Sequence, residues 1–140
     1  YGLVGSDQIK EPWIDEGLAN YCALLYLEKK HGSENYCQAI KEIKPEGKYL
    51  SFLPASAYPG KELYKEAVYV RPALFWDRLR SLAGTERLSQ GFKKVQTDYK
   101  YQVMSGEDLF SILKKEYRLN NNQIRGLLFG DDQTAFPKKH

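Results

Sequence analysis

The chain is poor in cysteine, histidine and methionine. It has two cysteines, two histidines and one methionine among 140 residues. Neither cysteine belongs to a CxxC pair, which disfavours a zinc site built from cysteine thiolates. Cys22 and Cys37 fall on two consecutive predicted helices. We expect both to be buried free thiols, and a disulfide between them is the alternative.

Long apolar runs and a strong net charge are also absent. The longest fully apolar stretch, residues 21–27, is far too short to cross a bilayer, so we expect no membrane segment in this chain. The net charge is only +3, and lysines and arginines are interspersed with acids rather than gathered in a basic stripe. We therefore expect no nucleic-acid partner.

Apolar residues make up 42% of the chain, and they recur with helical spacing. The pattern predicts helices at about residues 13–30, 33–43, 62–83, 85–99, 105–117 and 121–129. No stretch alternates with a period of two for long, so the predicted fold class is all-α with about six helices. Residues 1–130 are expected to form a single helical domain, followed by a flexible tail at 131–140.

Local signals refine these helices. Pro72 is tolerated only in a first turn, so the main helix of the third region is expected to start near residue 70. Ser105 and Asp108 have the spacing of a capping box at the start of a later helix. The irregular stretch 44–60, rich in proline and glycine, is longer than most loops and is expected to line a functional surface.

The apolar residues expected to face inward are Ile14, Leu18, Tyr21, Cys22 and Leu25 in the first helix, Leu74, Phe75, Leu79 and Leu82 in the third, Leu88, Phe92, Val95 and Tyr99 in the fourth, and Leu109, Phe110, Leu113 and Tyr117 in the fifth.

Residues 13–21 read WIDEGLANY, with two adjacent carboxylates and a glycine at a helix start. Taken alone, Glu16 is a solvated acid that the helix dipole favours. The segment as a whole resembles the W-x-[ND]-E-G-[FL]-A-x-Y segment of gluzincin zinc metallopeptidases, the aminopeptidase N and leukotriene hydrolase family. The resemblance implies that Glu16 is the third protein ligand of a catalytic zinc, after two histidines of an HExxH helix. Asp15 is expected to cap the helix.

The opening residues YGLVGSDQ are similar to the segment that follows the second histidine in that family. The resemblance implies that the chain begins just after the zinc-binding helix, with both histidines upstream of Tyr1. Zn²⁺ would then belong to the parent protein, and this chain alone should be inactive, because one carboxylate cannot hold catalytic zinc. Gly17 is expected to leave room for the neighbouring zinc helix. Asn20 lies one turn after Glu16 on the same face of the helix and is expected to support the zinc site by hydrogen bonding.

A second segment, YVRPA at residues 69–73, resembles the Y-x-[KR]-G-A segment of the same family. In these enzymes the tyrosine hydroxyl stabilises the oxyanion formed during peptide hydrolysis, a task suited to a neutral phenol that donates one directed hydrogen bond. By that match Tyr69 has this role, although Pro72 stands where glycine is usual. Tyr64 is a nearby competitor, and a tyrosine merely packed at a helix start is the structural alternative. Arg71 is expected to orient this region or to contact substrate.

The sequence therefore predicts the helical C-terminal half of a thermolysin-like catalytic domain, from an aminopeptidase-like zinc metallopeptidase that hydrolyses peptide bonds. The implied partners are a peptide substrate and the remainder of the catalytic domain. The alternative is a non-catalytic helical interaction module or a degenerate peptidase relative. His31, at a helix C-terminus, and His140, in a basic tail, are not expected to be zinc ligands.

Overall fold

The computed structural model describes residues 4–44 and 53–129, which are mostly helical. The helices are α1 (Pro12–His31), α2 (Ser33–Glu42), α3 (Lys61–Lys65), α4 (Arg71–Ala83), α5 (Thr85–Asp98), α6 (Gly106–Tyr117) and α7 (Asn121–Phe129). A π-helical turn at Glu66–Val70 joins α3 and α4 without a break, so these three form one long helix. The all-α prediction of about six helices is confirmed.

Most predicted boundaries agree with the structure to within one or two residues. Of the predicted 44–60 loop, the structure describes residues 44 and 53–60, in which Ala55–Ala57 forms one turn of 3₁₀ helix. The remainder of that loop, Gly130 and the predicted tail lie outside the described residues. Within the described ranges, no helix is both long enough and apolar enough to cross a membrane.

Two very short strands, β1 (Val4–Gly5) and β2 (Gln102–Val103), pair in parallel and join the N-terminal segment to the connection before α6. Periodicity did not predict them, because two residues are too few to show an alternation. The N-terminus of α6 lies nearby. The carboxylate of Glu11 accepts a hydrogen bond from the N–H of Gly106, with both oxygens at 3.0 Å.

The hydrophobic core lies between α1, α4, α6 and α7, with α5 along one side. Trp13, Tyr21, Phe75, Leu79, Leu109 and Leu127 are its large side chains with almost no exposed surface. Two predictions of burial were wrong. Leu82 is 38% exposed, and Cys22 and Cys37 are both exposed free thiols. Cys22 follows the buried Tyr21 by one residue, and a step of one residue turns a side chain away from the face that Tyr21 occupies.

A polar network fastens the C-terminal half of α1 to α2 and α4. Arg80 of α4 makes a two-pronged ion pair with Glu28 of α1, at 2.7 and 3.1 Å, and its guanidinium lies over the ring of Tyr36. The Tyr36 hydroxyl donates to the carboxylate of Asp77. Burial and this bond to Asp77 raise the pKa of Tyr36 far above its ordinary value. The network therefore fixes the orientation of α1 against α4.

Candidate functional site

Glu16 lies in the second turn of α1, at the edge of the face that is buried. Trp13, Gly17 and Tyr21 form that face, and Glu16 itself is half-buried. The helix begins at Pro12, where the missing N–H costs nothing because first-turn N–H groups have no partner within the helix. The prediction that Asp15 caps α1 was wrong, since the helix starts three residues before it.

Gly17 is buried where α1 meets the start of α4. A Cβ added at Gly17 would overlap the Cβ of Pro72. Pro72 is the residue that departs from the family pattern, and its ring occupies the space that Gly17 leaves open. Gly17 was expected to leave room for the zinc helix, but among the described residues that space is filled by Pro72 at the start of α4.

Tyr69 belongs to the π-turn Glu66–Val70, which carries one residue more per turn than an α-helix. The N–H of Arg71 bonds to the carbonyl of Glu66, five residues back. Pro72 follows at once and donates no backbone hydrogen bond. A proline inside an α-helix clashes with the preceding turn, and the wider turn gives its ring room. The predicted helix start near residue 70 corresponds to the end of this turn.

Asn20 connects α1 to the π-turn directly. Its side-chain amide donates a hydrogen bond of 3.2 Å to the backbone carbonyl of Tyr69. Asn20 follows Glu16 by four residues, and residues four apart lie on the same side of a helix. One turn of α1 therefore presents Glu16 and holds the backbone of Tyr69, which brings the two principal predicted site residues to one region.

Arg71 is buried, with 4% of its surface exposed, and its guanidinium contacts the Glu66 carboxylate at 2.7 and 3.0 Å. Glu66 is a site residue that the sequence did not predict. Residues five apart lie on different sides of an α-helix, so nothing in the sequence paired these two. The extra residue of the π-turn brings them together.

Three tyrosines form a row beside this turn. The ring of Tyr64 meets the ring of Tyr69 edge-on at 6.1 Å, and the ring of Tyr58 meets that of Tyr64 at 5.5 Å. Burial raises the pKa of Tyr58. Tyr64, the predicted competitor of Tyr69, is therefore its direct neighbour. Tyr58 was missed because it lies outside any helical pattern, in the segment just before α3.

Glu16 could supply one ligand of a zinc site, but the described side chains around it do not supply the other ligands. Within residues 4–44 and 53–129, no three His, Cys, Asp or Glu side chains are grouped so that they could hold a metal ion. Glu16 offers a carboxylate at the edge of the buried face, which is the chemistry expected of a third ligand.

An open cleft of about 550 Å³ lies elsewhere, between α5 and α6. Its lining is mainly polar and charged and includes Lys94, Asp98, Asp108, Ser111 and Lys115. Glu16, Asn20, Tyr69 and Arg71 do not line it. We place the candidate site at the contact of α1 with the π-turn, where the chemically distinctive groups meet.

Comparison with known proteins identifies a fold and goes no further. No protein-family model and no curated protein sequence matches the chain. The solved structures that it matches include two of a mutant M1 zinc metallopeptidase from Deinococcus radiodurans, one of them bound to a Tyr-Ser-Ala substrate. Their TM-scores are 0.65 and 0.66 at 18% sequence identity, over 86% of this chain. The fold is similar to that of an M1 zinc metallopeptidase.

The match covers only 28% of the length of each neighbouring chain, so it concerns one helical part of a much larger enzyme. At 18% identity it supports the architecture and not the role of any side chain. The assignments of Glu16 and Tyr69 therefore depend on their local sequence and on the contacts described above.

Proposed function

We propose that this chain is the helical part of an aminopeptidase-like zinc metallopeptidase catalytic domain that hydrolyses peptide bonds. Glu16 is the third zinc ligand, and Tyr69 stabilises the oxyanion of the tetrahedral intermediate. The other two ligands are histidines of the remainder of the catalytic domain. The observation that carries the proposal is the bond from Asn20 to the Tyr69 carbonyl, since it joins the Glu16 turn to the Tyr69 turn.

Each residue has a task that its chemistry allows. The Glu16 carboxylate supplies an anionic oxygen ligand from a helix whose far side is fixed in the core. When bound, zinc polarises the peptide carbonyl and lowers the pKa of an attacking water. The Tyr69 hydroxyl donates a hydrogen bond to the carbonyl oxygen as negative charge develops on it. The π-turn holds Tyr69 on a packed helix rather than on a loop.

The surface of α1 next to Glu16 suits the approach of another helix. Ala19 and Ala23 lie three and seven residues after Glu16, on its side of the helix, and both are exposed. Small side chains let helix backbones come close together. We assign this surface to the remainder of the catalytic domain, including the helix that bears the histidines.

The proposal is tested by steady-state peptide hydrolysis with the complete protein. Tyr69→Phe should lower kcat by roughly 10²- to 10³-fold, as expected for loss of one oxyanion donor, with little change in KM. Tyr64→Phe is the matched control, because it removes a hydroxyl from the neighbouring ring in the same row. Equal losses from both variants would refute the assignment of Tyr69. A wild-type protein without hydrolytic activity would favour the helical interaction module instead.

A further inference from the structure

We infer that Asn20 is a positioning residue for Tyr69, acting through the Tyr69 backbone carbonyl; this inference rests on the proposed function. The amide of Asn20 reaches from α1 to a residue 49 positions later in the chain, at 3.2 Å, in a partly buried place. It therefore joins two elements that are far apart in sequence. A backbone carbonyl held in this way fixes the peptide unit of the residue whose phenol takes part in the chemistry.

The hydrogen bond from Asn20 to Tyr69 lies close to Glu16 along α1, so it can determine where Tyr69 lies relative to Glu16. Glu16 and Asn20 are one helical turn apart, so their relative position is set by the rigid geometry of α1. The Asn20 side chain then links the turn that carries Glu16 to the Tyr69 backbone by one direct hydrogen bond. The alternative path, along the chain, passes through α2 and the long connection to α3.

Two further contacts of this region act on residues next to Tyr69 and not on its backbone carbonyl. Pro72 packs against Gly17, which fixes the start of α4. The ion pair of Arg71 with Glu66 closes the turn on itself, because both residues belong to the same continuous helix. Pro72 and Arg71 follow Tyr69 in the chain, whereas Asn20 holds Tyr69 itself. Loss of the Asn20 amide should therefore displace the tyrosine while the helix stays folded.

The kinetic test compares two variants of Asn20 in the complete protein. Asn20→Leu keeps the approximate shape and removes the donor, and we expect kcat to fall about 10- to 100-fold with KM within about twofold. The bound zinc and the folded fraction should stay at the wild-type level. Asn20→Gln retains an amide donor and should recover most of kcat. The inference is overturned if Asn20→Leu leaves kcat unchanged, or if its activity falls only in proportion to lost zinc or lost folded protein.

Asn35 provides the matched control. Its side-chain amide also donates to a helix backbone carbonyl, that of His31 at 2.7 Å, but at an exposed place on the other end of α1. Asn35→Leu therefore removes the same kind of bond away from the site. We expect its kcat to equal that of the wild type. A loss as large as that of Asn20→Leu would show a general effect of removing such bonds and would contradict a role in positioning.

A second readout does not depend on activity. 3-Fluorotyrosine placed only at position 69 gives one ¹⁹F resonance, which reports the surroundings of that ring. Asn20→Leu should shift or broaden this resonance, while Asn35→Leu should leave it in place. An unchanged resonance in Asn20→Leu overturns the inference. A shifted resonance in a protein that hydrolyses no peptide supports the link from Asn20 to Tyr69 and refutes the proposed function, so the two failures are distinguishable.

Discussion

Gly17 and Pro72 meet where α1 packs against the start of α4, and each restricts what the other position can hold. A side chain at Gly17 would overlap the proline ring. Gly17 has no side chain, and this leaves room for the ring of Pro72. The sequence indicated that Gly17 needs space. It gave no sign that the neighbour is Pro72, because the two are 55 positions apart (72 minus 17).

Gly17→Ala should therefore destabilise the fold, although alanine is the better helix former. The gain in helix propensity is about 1 kcal/mol. Forcing a methyl group into this packed contact costs about 1–3 kcal/mol beyond that gain. Urea unfolding of the variant measures the difference. Gly60→Ala is the control, since a Cβ at Gly60 meets nothing within 4 Å, and its effect should stay within about 0.5 kcal/mol. Equal stability of both variants would contradict the packing account.

At the scale of elements, the π-turn was the feature that the sequence could not reveal. Helical periodicity predicted a helical region at 62–83, and the proline indicated a start near residue 70. The structure keeps the helix continuous and widens one turn instead. Glu66 and Arg71 are paired only in that wider turn, so their ion pair and the turn should support each other.

Breaking that ion pair should be costly. The side chains of Arg71 and Glu66 are only 5% and 14% exposed. Glu66→Ala leaves the buried guanidinium without the carboxylate that now pairs with it, and we expect a loss of about 3–5 kcal/mol in unfolding free energy. Asp98→Ala removes one partner of the exposed Lys94–Asp98 pair and should cost about 0–1 kcal/mol. Comparable losses of unfolding free energy in Glu66→Ala and Asp98→Ala, measured by denaturant unfolding, would show that burial does not determine how much an ion pair contributes to stability.

The start of α6 was predicted from sequence and is confirmed. Ser105 accepts from the Asp108 N–H, and the Asp108 carboxylate accepts from the backbone and hydroxyl of Ser105. These bonds lower the pKa of Asp108 below its ordinary value near 3.8, the side-chain bond of Ser105 being the largest cause. The stability that ionised Asp108 contributes is therefore present above that ordinary value and is lost as pH falls through the lowered one.

Ser105→Ala should accordingly raise the pKa of Asp108 toward its ordinary value and weaken the start of α6. The loss of the cap costs about 1 kcal/mol near neutral pH. An NMR titration that follows the Asp108 carboxyl carbon measures the pKa in both proteins. Ser111→Ala, at an exposed position in the same helix, should leave that pKa unchanged. An Asp108 pKa that does not respond to Ser105→Ala would contradict the capping box as its cause.

For the whole molecule, the sequence predicted the elements well and their mutual arrangement only in part. Helices follow from apolar spacing, which is local, so α1, α2, α5, α6 and α7 were found close to their true bounds. Whether a side chain is exposed depends on which other elements pack against its helix, and local spacing does not reveal this. Cys22 is an example. The apolar spacing placed it in the inward face of α1, yet its side chain is exposed.

The candidate site, too, could be predicted from the sequence only in part. Glu16 and Tyr69 were predicted from their local segments, because each segment has a recognisable order of residues. The connection between them, from the Asn20 amide to the Tyr69 carbonyl, needs the folded arrangement of α1 against the π-turn. Glu66 was missed for the same reason. We propose that this arrangement presents Glu16 as a zinc ligand.

The most direct test of that claim is the zinc content of the complete protein after dialysis, measured by mass spectrometry for wild type, Glu16→Gln and Asp15→Asn. Asp15 is the matched control, since it is the adjacent carboxylate in the same part of α1. Wild type and Asp15→Asn should retain about one zinc ion per chain, and Glu16→Gln should lose most of it, because a neutral amide is a much weaker ligand than a carboxylate. Full zinc occupancy in Glu16→Gln would contradict the account.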